Sequence, residues 1–321
     1  MEFQNKKLEG SILRSDFYNV SQKREYLYSL PCQDDISITL KVFRAAAPME
    51  QELDMDCCSF PVREAERIVI ERFIPATTCW RLILAYYNYC KWCIRNKLCD
   101  SNVLTEVRIP ELRKLRLSLL ASASDLHFAL NEIFEDERKN TVDVIGRALM
   151  WVLYSGVELE TAVELTAENV DLKNREIHVN GKTYKYSKHA AYSIRAAATL
   201  DELIYQNNVY TTVRPRGAGD KLFRAFTDEY SPSFVRYAYL KKLERAHRSE
   251  KTIRELSSGN IWRSGICDML YQDHKAVGYV DIQMVHDVLS YCRSEPPSKA
   301  NIVWFLNVYA GWFLAFYSQL V

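Results

Sequence analysis

The chain has 321 residues, of which 48% are hydrophobic and 26% charged, and its net charge of +1 argues against an indiscriminately basic nucleic-acid binder. This length predicts about two domains of roughly 100–200 residues each. The N-terminus has neither an apolar run of transmembrane length nor a secretion signal, and the nine cysteines are an odd number. We therefore expect a cytoplasmic protein with reduced thiols.

The charge is distributed unevenly along the chain. Residues 182–263 contain 16 lysines and arginines against 8 aspartates and glutamates, a local charge of +8, so the remainder of the chain is acidic. A segment with this excess favours contact with phosphates.

Helical patterns dominate the first half of the chain. They cover residues 17–30, 36–47, 62–73, 79–96, 112–120 and 126–133, of which 36–47 fits a short helix or a strand. Pro61 suits the first position of its helix, and Pro75-Ala76-Thr77-Thr78 can cap the helix that begins at Cys79. Apolar residues cover more than one face of that helix, so we expect it to pack on both sides.

Three cysteines of this region, Cys90, Cys93 and Cys99, have a spacing that would suit zinc. A fourth ligand and a second pair are missing, so we expect no metal site. No cofactor is expected either.

Local signals agree best between positions 145 and 186. Apolar residues recur at helical spacing from 145 to 153, and Gly156 follows where a glycine can end a helix in a left-handed conformation. Residues 159–165 predict a second short helix. Ile177-His178-Val179 then predicts a strand that turns at Asn180-Gly181 toward residues 183–186. The predicted order is helix, elbow, helix, hairpin.

Beyond the hairpin, residues 193–206 predict a helix and residues 213–221 a basic loop. Ser231 can cap a further helix on which Lys241, Arg245 and Arg248 share one face, with Lys242 beside them. Such a stripe is usually a solvated face. Its place in the positively charged segment favours phosphate contact instead.

The helix, elbow and hairpin resemble the catalytic domain of the tyrosine recombinases, the phage integrase family. Ser155-Gly156-Val157-Glu158 lies where that family has Thr-Gly-Leu-Arg, so its first catalytic arginine aligns with Glu158. Residues 165–172, with the sequence LTAENVDL, fit the segment that follows, and Lys182 falls at the hairpin lysine.

The remaining catalytic positions of the family are also altered. Asn260-Ile261-Trp262-Arg263 aligns with His-x-Leu-Arg, which keeps the second arginine and replaces the histidine. Tyr291 lies where the second histidine belongs. No tyrosine occurs near position 300, where the nucleophile is expected, and Tyr309 is the nearby candidate on the last helix.

The resemblance implies a mainly α-helical fold with a small β-sheet and two domains. Residues 1–57 would be an N-terminal segment, residues 58–122 a helical core-binding domain and residues 123–321 the catalytic-like domain. Because the arginine, both histidines and the tyrosine are lost, we expect a catalytically inactive protein that retains double-stranded DNA binding as a transcriptional regulator of the prophage-repressor type. The expected DNA contacts are Arg81, Lys182, Lys185, Arg214, Arg216, Lys241, Lys242, Arg245, Arg248 and Arg263.

Two other functions stay open. The protein could be an active recombinase that uses Tyr309 and a substitute arginine, or an interaction scaffold that does not bind DNA. Trapping of a covalent protein–DNA adduct on a nicked substrate would distinguish an active recombinase from a repressor. A gel shift would distinguish a scaffold that does not bind DNA from both.

The C-terminus predicts a strongly apolar helix capped by Ser298. So many large apolar side chains cannot all be exposed on a soluble protein. One possibility is that the helix packs into a neighbouring subunit of a homo-oligomer, as the last helix commonly does in recombinases. The alternative is that it packs into its own domain.

Overall fold

Helices form most of the structure, in agreement with the apolar periodicity of the sequence. The computed structural model describes residues 17–134, 141–206, 211–215, 221–223, 239–248 and 254–318. The chain is mainly α-helical with small sheets, which confirms the predicted fold class at that level.

The secondary-structure elements are numbered here in chain order. The helices are α1 (Val20–Ser29), α2 (Gln33–Leu53), α3 (Val62–Ile68), α4 (Cys79–Arg95), α5 (Pro110–Ser118), α6 (Ala123–Ile133), α7 (Thr141–Tyr154), α8 (Leu159–Ala162), α9 (Ala191–Thr199), α10 (Lys241–Arg248), α11 (Ser258–Val277), α12 (Ile282–Cys292) and α13 (Lys299–Tyr317). The strands are β1 (Val170–Asp171), β2 (Glu176–Val179), β3 (Lys182–Lys185), β4 (Glu202–Gln206) and β5 (Thr211–Pro215).

Contacts divide the chain into two compact units. Unit 1 comprises the described parts of 1–113, 274–286 and 298–321, and unit 2 those of 114–273 and 287–297. This grouping differs from the predicted domains 58–122 and 123–321, because it places α13 with the N-terminal helices. The prediction divided the chain into consecutive segments, so it could not group the last helix with the N-terminal helices.

Unit 1 is built around α4. This helix packs against α2 and against α13, which confirms that both of its sides are covered. Tyr86 and Tyr89 of α4 are fully buried, and the Tyr89 ring lies 4.9 Å from the ring of Phe43 in α2. The ambiguous segment 36–47 is therefore helical, as part of the longer helix α2.

The start of α4 differs from the sequence prediction. Thr78 is the N-cap residue, but its side chain makes no capping hydrogen bond. The cap comes instead from α13, where the Asn307 Oδ1 accepts hydrogen bonds from the backbone N–H groups of Trp80 (3.0 Å) and Arg81 (3.3 Å). Two of the donors that a helix N-terminus leaves unsatisfied are thus paired across unit 1.

The last helix, α13, begins at the predicted cap, where the Ser298 Oγ accepts a hydrogen bond from the Asn301 N–H. By length and composition α13 could cross a membrane, but 61% of its most apolar window is buried within the structure. Trp312 and Leu314 are fully buried in this way. Most of the apolar surface of α13 is thus covered within its own chain, whereas Trp304 and Tyr317 are exposed. A homo-oligomer through α13 stays a prediction.

A buried ionic network joins α1, α2 and the turn at Cys57–Ser59. The Lys23 Nζ lies 2.7 Å from the Glu50 Oε1 and 3.2 Å from the Asp56 Oδ2, and donates to the Tyr18 carbonyl at 2.6 Å. The Tyr89 hydroxyl donates to Asp56 at 3.0 Å. Burial opposes the ammonium charge, but the surrounding anionic groups outweigh it and raise the pKa of Lys23.

Unit 2 is organised around α7, which packs against α9 and β4. Strands β1, β2 and β3 form an antiparallel sheet, and β4 pairs with β5. The predicted hairpin is confirmed: β2 and β3 are joined at Asn180 and Gly181, whose φ angles of 52° and 71° suit a tight left-handed turn.

Two predictions for unit 2 are wrong. The segment 193–206 is not one helix, because α9 ends at Thr199 and β4 follows. Ile204 of β4 pairs with Val213 of β5, which is strand rather than loop. The pairing of β4 with the neighbouring strand β5 overrides the local preference for helix. The rest of the predicted basic loop at 216–220, and the predicted cap at Ser231, lie outside the described residues.

The buried network gives a stability prediction. Lys23→Met should lower the free energy of unfolding by about 3–5 kcal/mol, because Glu50 and Asp56 would stay buried without their counter-charge. Urea denaturation followed by circular dichroism measures the change. Lys41→Met, at an exposed position of α2, is the control and should stay within about 0.5 kcal/mol of the wild type. A decrease below about 1 kcal/mol for Lys23→Met would show that the network does not stabilise unit 1.

Candidate functional site

The elbow after α7 positions the first altered residue, Glu158. Gly156 has a φ of 95°, and a Cβ at this glycine would lie 2.8 Å from the Cys292 Sγ and 3.0 Å from the Met269 Cε. Position 156 therefore requires glycine for both its backbone conformation and its packing. The predicted left-handed end of the helix is confirmed.

Helix α11 is held directly against this elbow. A Cβ at Gly265 would lie 1.9 Å from the Tyr154 carbonyl oxygen, so only glycine permits this approach. The Trp262 Nε1 donates to the Gly156 carbonyl at 3.0 Å, and the Tyr154 hydroxyl donates to Asp268 at 3.2 Å. The end of α7 and the first half of α11 are thus fixed relative to each other.

Glu158, at the position of the family's first arginine, binds the loop that follows α12. Its Oε2 accepts hydrogen bonds from the Ser294 N–H (2.7 Å) and the Ser294 hydroxyl (2.6 Å). Its Oε1 lies 3.7 Å from the Arg293 Nε. The carboxylate therefore anchors residues 293–294.

Lys182, at the position of the hairpin lysine, binds the same segment from the other side. Its Nζ donates to the carbonyl oxygens of Ser290 (3.1 Å) and Arg293 (2.9 Å). These carbonyls lie at the C-terminal end of α12, where a cation is favoured by the helix dipole and by unpaired acceptors. Lys182 thus stabilises the end of a helix in this structure.

Tyr291, at the position of the second histidine, binds the edge of the hairpin. Its hydroxyl donates to the Thr183 carbonyl and accepts from the Thr183 N–H at 3.0 Å. The Tyr184 hydroxyl in turn donates to the Tyr291 carbonyl at 3.1 Å. This pairing satisfies backbone groups of the edge strand β3.

The structure therefore brings two altered positions, Glu158 and Tyr291, and one retained position, Lys182, together on one short segment. Residues 290–294, which we call the anchored segment, donate hydrogen bonds to Glu158, accept hydrogen bonds from Lys182 and contribute Tyr291 to the hairpin. The sequence pattern located these three positions. It did not identify Ser294, Arg293 and Thr183 as their partners, because no local signal marks a loop serine or a strand backbone as a partner.

The other two aligned positions lie on α11. Arg263 is retained from the family pattern, and Asn260 replaces a histidine. The Arg263 Nε donates to the Gly259 carbonyl at 3.1 Å, and its Nη2 donates to the Asn260 Oδ1. The Asn260 Nδ2 donates to the Glu255 carbonyl at 2.7 Å. Burial lowers the pKa of the Arg263 guanidinium, which nevertheless stays charged at neutral pH.

Tyr309, the candidate nucleophile, belongs to unit 1. It is buried, and its hydroxyl lies 2.8 Å from the His274 Nδ1. Burial lowers the pKa of His274, so its imidazole is neutral at pH 7 and can share a hydrogen bond with the phenol.

The expected cationic face of α10 is present in unit 2. Lys241, Arg245 and Arg248 are exposed, whereas Leu243 and Ala246 are buried on the opposite side. Arg248 lies 3.8 Å from Glu244 in an exposed ion pair, which contributes little to stability.

Lys242 differs from these three residues, although it was expected to contact DNA with them. Its ammonium is half-buried, forms an ion pair with Asp143 and lies 5.2 Å from the centre of the Phe134 ring. The contacts of Lys242 therefore stabilise the junction of α10 with α7.

The other expected DNA contacts are scattered. Lys185 ends β3 with 82% of its side chain exposed, 4.0 Å from the Glu176 Oε1. Arg81 is half-buried on α4 in unit 1. Arg214 lies on β5, and Arg216 lies outside the described residues.

Potential metal ligands converge at two places in the described structure. Glu50, Asp56 and Cys57 form one group, whose carboxylates already hold the Lys23 ammonium. Asp171, Glu176 and His178 form the other on the three-stranded sheet, and there Asp171 accepts the backbone N–H groups of a tight turn. In both groups the carboxylates thus have hydrogen-bond or ion-pair partners within the chain.

Comparisons with known proteins add little. No protein-family model matches the chain, and no curated protein sequence matches it. Among solved structures the chain is similar to the "Crystal structure of XerA recombinase", with a TM-score of 0.37 and 12% sequence identity, covering 94% of this chain and 93% of that one. A TM-score this low does not assign the fold, so a functional proposal must rest on the residues themselves.

The anchoring contacts of Glu158 give a second prediction. Glu158→Arg, which restores the family's arginine, should lower the free energy of unfolding by about 1–3 kcal/mol, because Ser294 loses its acceptor and Arg293 gains a like charge. Glu158→Gln keeps a side-chain oxygen as acceptor and should be destabilised less than Glu158→Arg. Denaturant unfolding of both variants measures the difference. If Glu158→Arg is as stable as the wild type, Glu158 does not anchor residues 293–294.

Proposed function

We propose that this protein is a sequence-specific, double-stranded-DNA-binding transcriptional regulator of the prophage-repressor type, on a tyrosine-recombinase-like scaffold that does not cleave DNA. The observation that carries the proposal is the exposed face of α10, with Lys241, Arg245 and Arg248 on a helix whose other side is buried. Such a face can neutralise several phosphates at once. A DNA target would place the protein in the cytoplasm of its host cell.

The location of this face supports a DNA partner rather than a merely solvated surface. It lies in the segment 182–263, which has 16 basic against 8 acidic residues in a chain whose net charge is only +1. Charge concentrated in one part of a nearly neutral protein directs association with a polyanion. An interaction scaffold without DNA would not need this asymmetry.

The contacts of the altered positions support the absence of strand cleavage. Cleavage by a tyrosine nucleophile requires cations directed at the non-bridging oxygens of the phosphate. In this chain Glu158 supplies a negative charge at the first arginine position, and the Lys182 ammonium is engaged with two carbonyl oxygens. The Tyr309 hydroxyl, which the active-recombinase alternative would need, is buried against His274.

The regulatory part of the proposal rests on the resemblance. Integrase-like proteins that lack their catalytic set act as prophage repressors, and the degenerate pattern here resembles the master repressor of SP-beta-type prophages. Selection of bound fragments from host and phage genomic DNA tests this directly. Recovery of a defined sequence near a promoter would support a repressor, and recovery of no fragment above background would contradict DNA binding.

The basic face of α10 gives a third prediction. The triple variant Lys241→Ala, Arg245→Ala, Arg248→Ala should bind specific and random DNA more weakly than the wild type. Its dependence of log K on log salt should flatten by about 1 for each phosphate that the variant no longer neutralises. Gel shifts at several salt concentrations measure both effects.

The matched control for this variant removes the same charge from exposed positions of unit 1, as Lys41→Ala, Arg44→Ala, Arg72→Ala. It should retain most of the affinity and the full salt dependence. Equal behaviour of the two triple variants would show that the face of α10 is only solvated.

A fourth prediction separates a repressor from an enzyme. Tyr309→Phe should leave DNA binding and repression intact and cost about 0.5–1.5 kcal/mol of stability, because it removes the hydroxyl that pairs with His274 and keeps the ring. Denaturing electrophoresis after incubation with a nicked suicide substrate should show no covalent adduct for either protein. An adduct that forms with the wild type and disappears in Tyr309→Phe would restore the recombinase alternative.

A further inference from the structure

We propose that unit 1 contains a binding site for a small organic anion with an aromatic or apolar body. The site is a cavity of about 400 Å³ bordered by α1, α2, α4 and α13 and by the loop after α11. This volume lies within the usual range of about 300–1,000 Å³ for small-molecule sites. A DNA duplex is too wide to enter it, so the cavity is not explained by the proposed DNA binding.

Three cations on α4 give the cavity its charge. Arg81, Lys91 and Arg95 line it, against one carboxylate among the described lining residues, Asp35. At the spacing of an α-helix these cations fall within one face. A ligand that enters the cavity therefore meets an excess of positive charge.

Arg81 is the residue suited to bind the anionic group. Its guanidinium is half-buried and makes no side-chain hydrogen bond or ion pair with a described residue. Burial lowers the pKa of Arg81, while Asp34 and Asp35 nearby favour its charge. A guanidinium that is partly removed from water and lacks acceptors gains the most from a ligand carboxylate or sulfonate, which it can bind through two parallel hydrogen bonds.

The remaining wall of the cavity is aromatic. Tyr26 and Trp92 lie on one side with ring centres 5.4 Å apart, and His274 stacks on Phe313 at 4.8 Å on another. Burial lowers the pKa of His274, so this ring adds apolar surface rather than charge at neutral pH. The lining thus combines a few polar groups with stacked rings, which suits an anion attached to a flat apolar body.

The site can be tested with a pair of dyes that differ in charge. Anilinonaphthalene sulfonate is aromatic and anionic, and phenylnaphthylamine is its uncharged analogue. Fluorescence titration of the full chain should show saturable binding of both. Arg81→Gln should weaken the sulfonate about 10-fold or more, the size expected for removal of a charge-assisted hydrogen bond, and leave the neutral dye within about twofold.

The control is Arg72→Gln, an exposed cation of unit 1 that does not line the cavity, and it should bind both dyes like the wild type. Cooperative urea unfolding establishes that each variant is folded, because these dyes also bind partly folded chains. Should Arg81→Gln fail to fold, Lys91→Gln provides the same comparison at an exposed lining position, with a smaller decrease in affinity expected.

Three results would overturn the proposal: no dye binding by the folded wild type, equal weakening of both dyes in Arg81→Gln, or wild-type affinity for the sulfonate in that variant. None of these measurements contains DNA. A failure here therefore leaves the proposed function untouched, and failure of DNA binding leaves this site untouched.

Discussion

The close approach of Gly265 to the Tyr154 carbonyl is the constraint on which unit 2 depends. A Cβ at position 265 would lie 1.9 Å from that oxygen, so α11 can reach the end of α7 only through a glycine. From this contact Trp262 reaches the Gly156 carbonyl, and Gly156 in turn makes room for Cys292 of α12. Three helices thus meet at an elbow with no space for a further methyl group. Packing of this density fixes the geometry of the side chains that leave the elbow.

By the sequence resemblance these side chains align with phosphate-binding positions, whereas their observed contacts are with the chain itself. Glu158 and Lys182 approach the anchored segment from two sides, and Tyr291 returns from it to the hairpin. A carboxylate beside Arg293 is locally balanced, whereas an arginine there would place two cations together without an anion. The Glu158 carboxylate is therefore bound by Arg293 and Ser294 of the chain itself.

The elbow and the hairpin could be predicted because their signals are local. Gly156, Asn180 and Gly181 adopt the positive φ angles that their residue types favour, so sequence position alone located both turns. Segment 193–206 could be predicted only in part: the three alanines at 196–198 do lie in a helix, α9, whereas β4 forms through its pairing with β5. The cap of α4 by Asn307 was equally invisible, because the two elements are separated by more than 220 positions. The fold was thus predictable where neighbours in sequence decide the conformation. The candidate site was predictable in its positions but not in its partners.

Binding and cleavage make different demands on the same residues, and this difference underlies the proposal of a protein that binds DNA without cleaving it. Affinity for DNA grows with the number of phosphates neutralised, and cations at approximate spacing, such as the three exposed on α10, are sufficient for it. Cleavage requires each donor to be aimed at one oxygen, and removal of a single donor costs about 10²- to 10³-fold in rate. A chain that places Glu158 at such a position and engages Lys182 with backbone carbonyls would lose the rate long before it lost the affinity. Under the proposed function, DNA binding therefore does not depend on the donors that cleavage needs, whereas cleavage would require several simultaneous changes around a packed elbow.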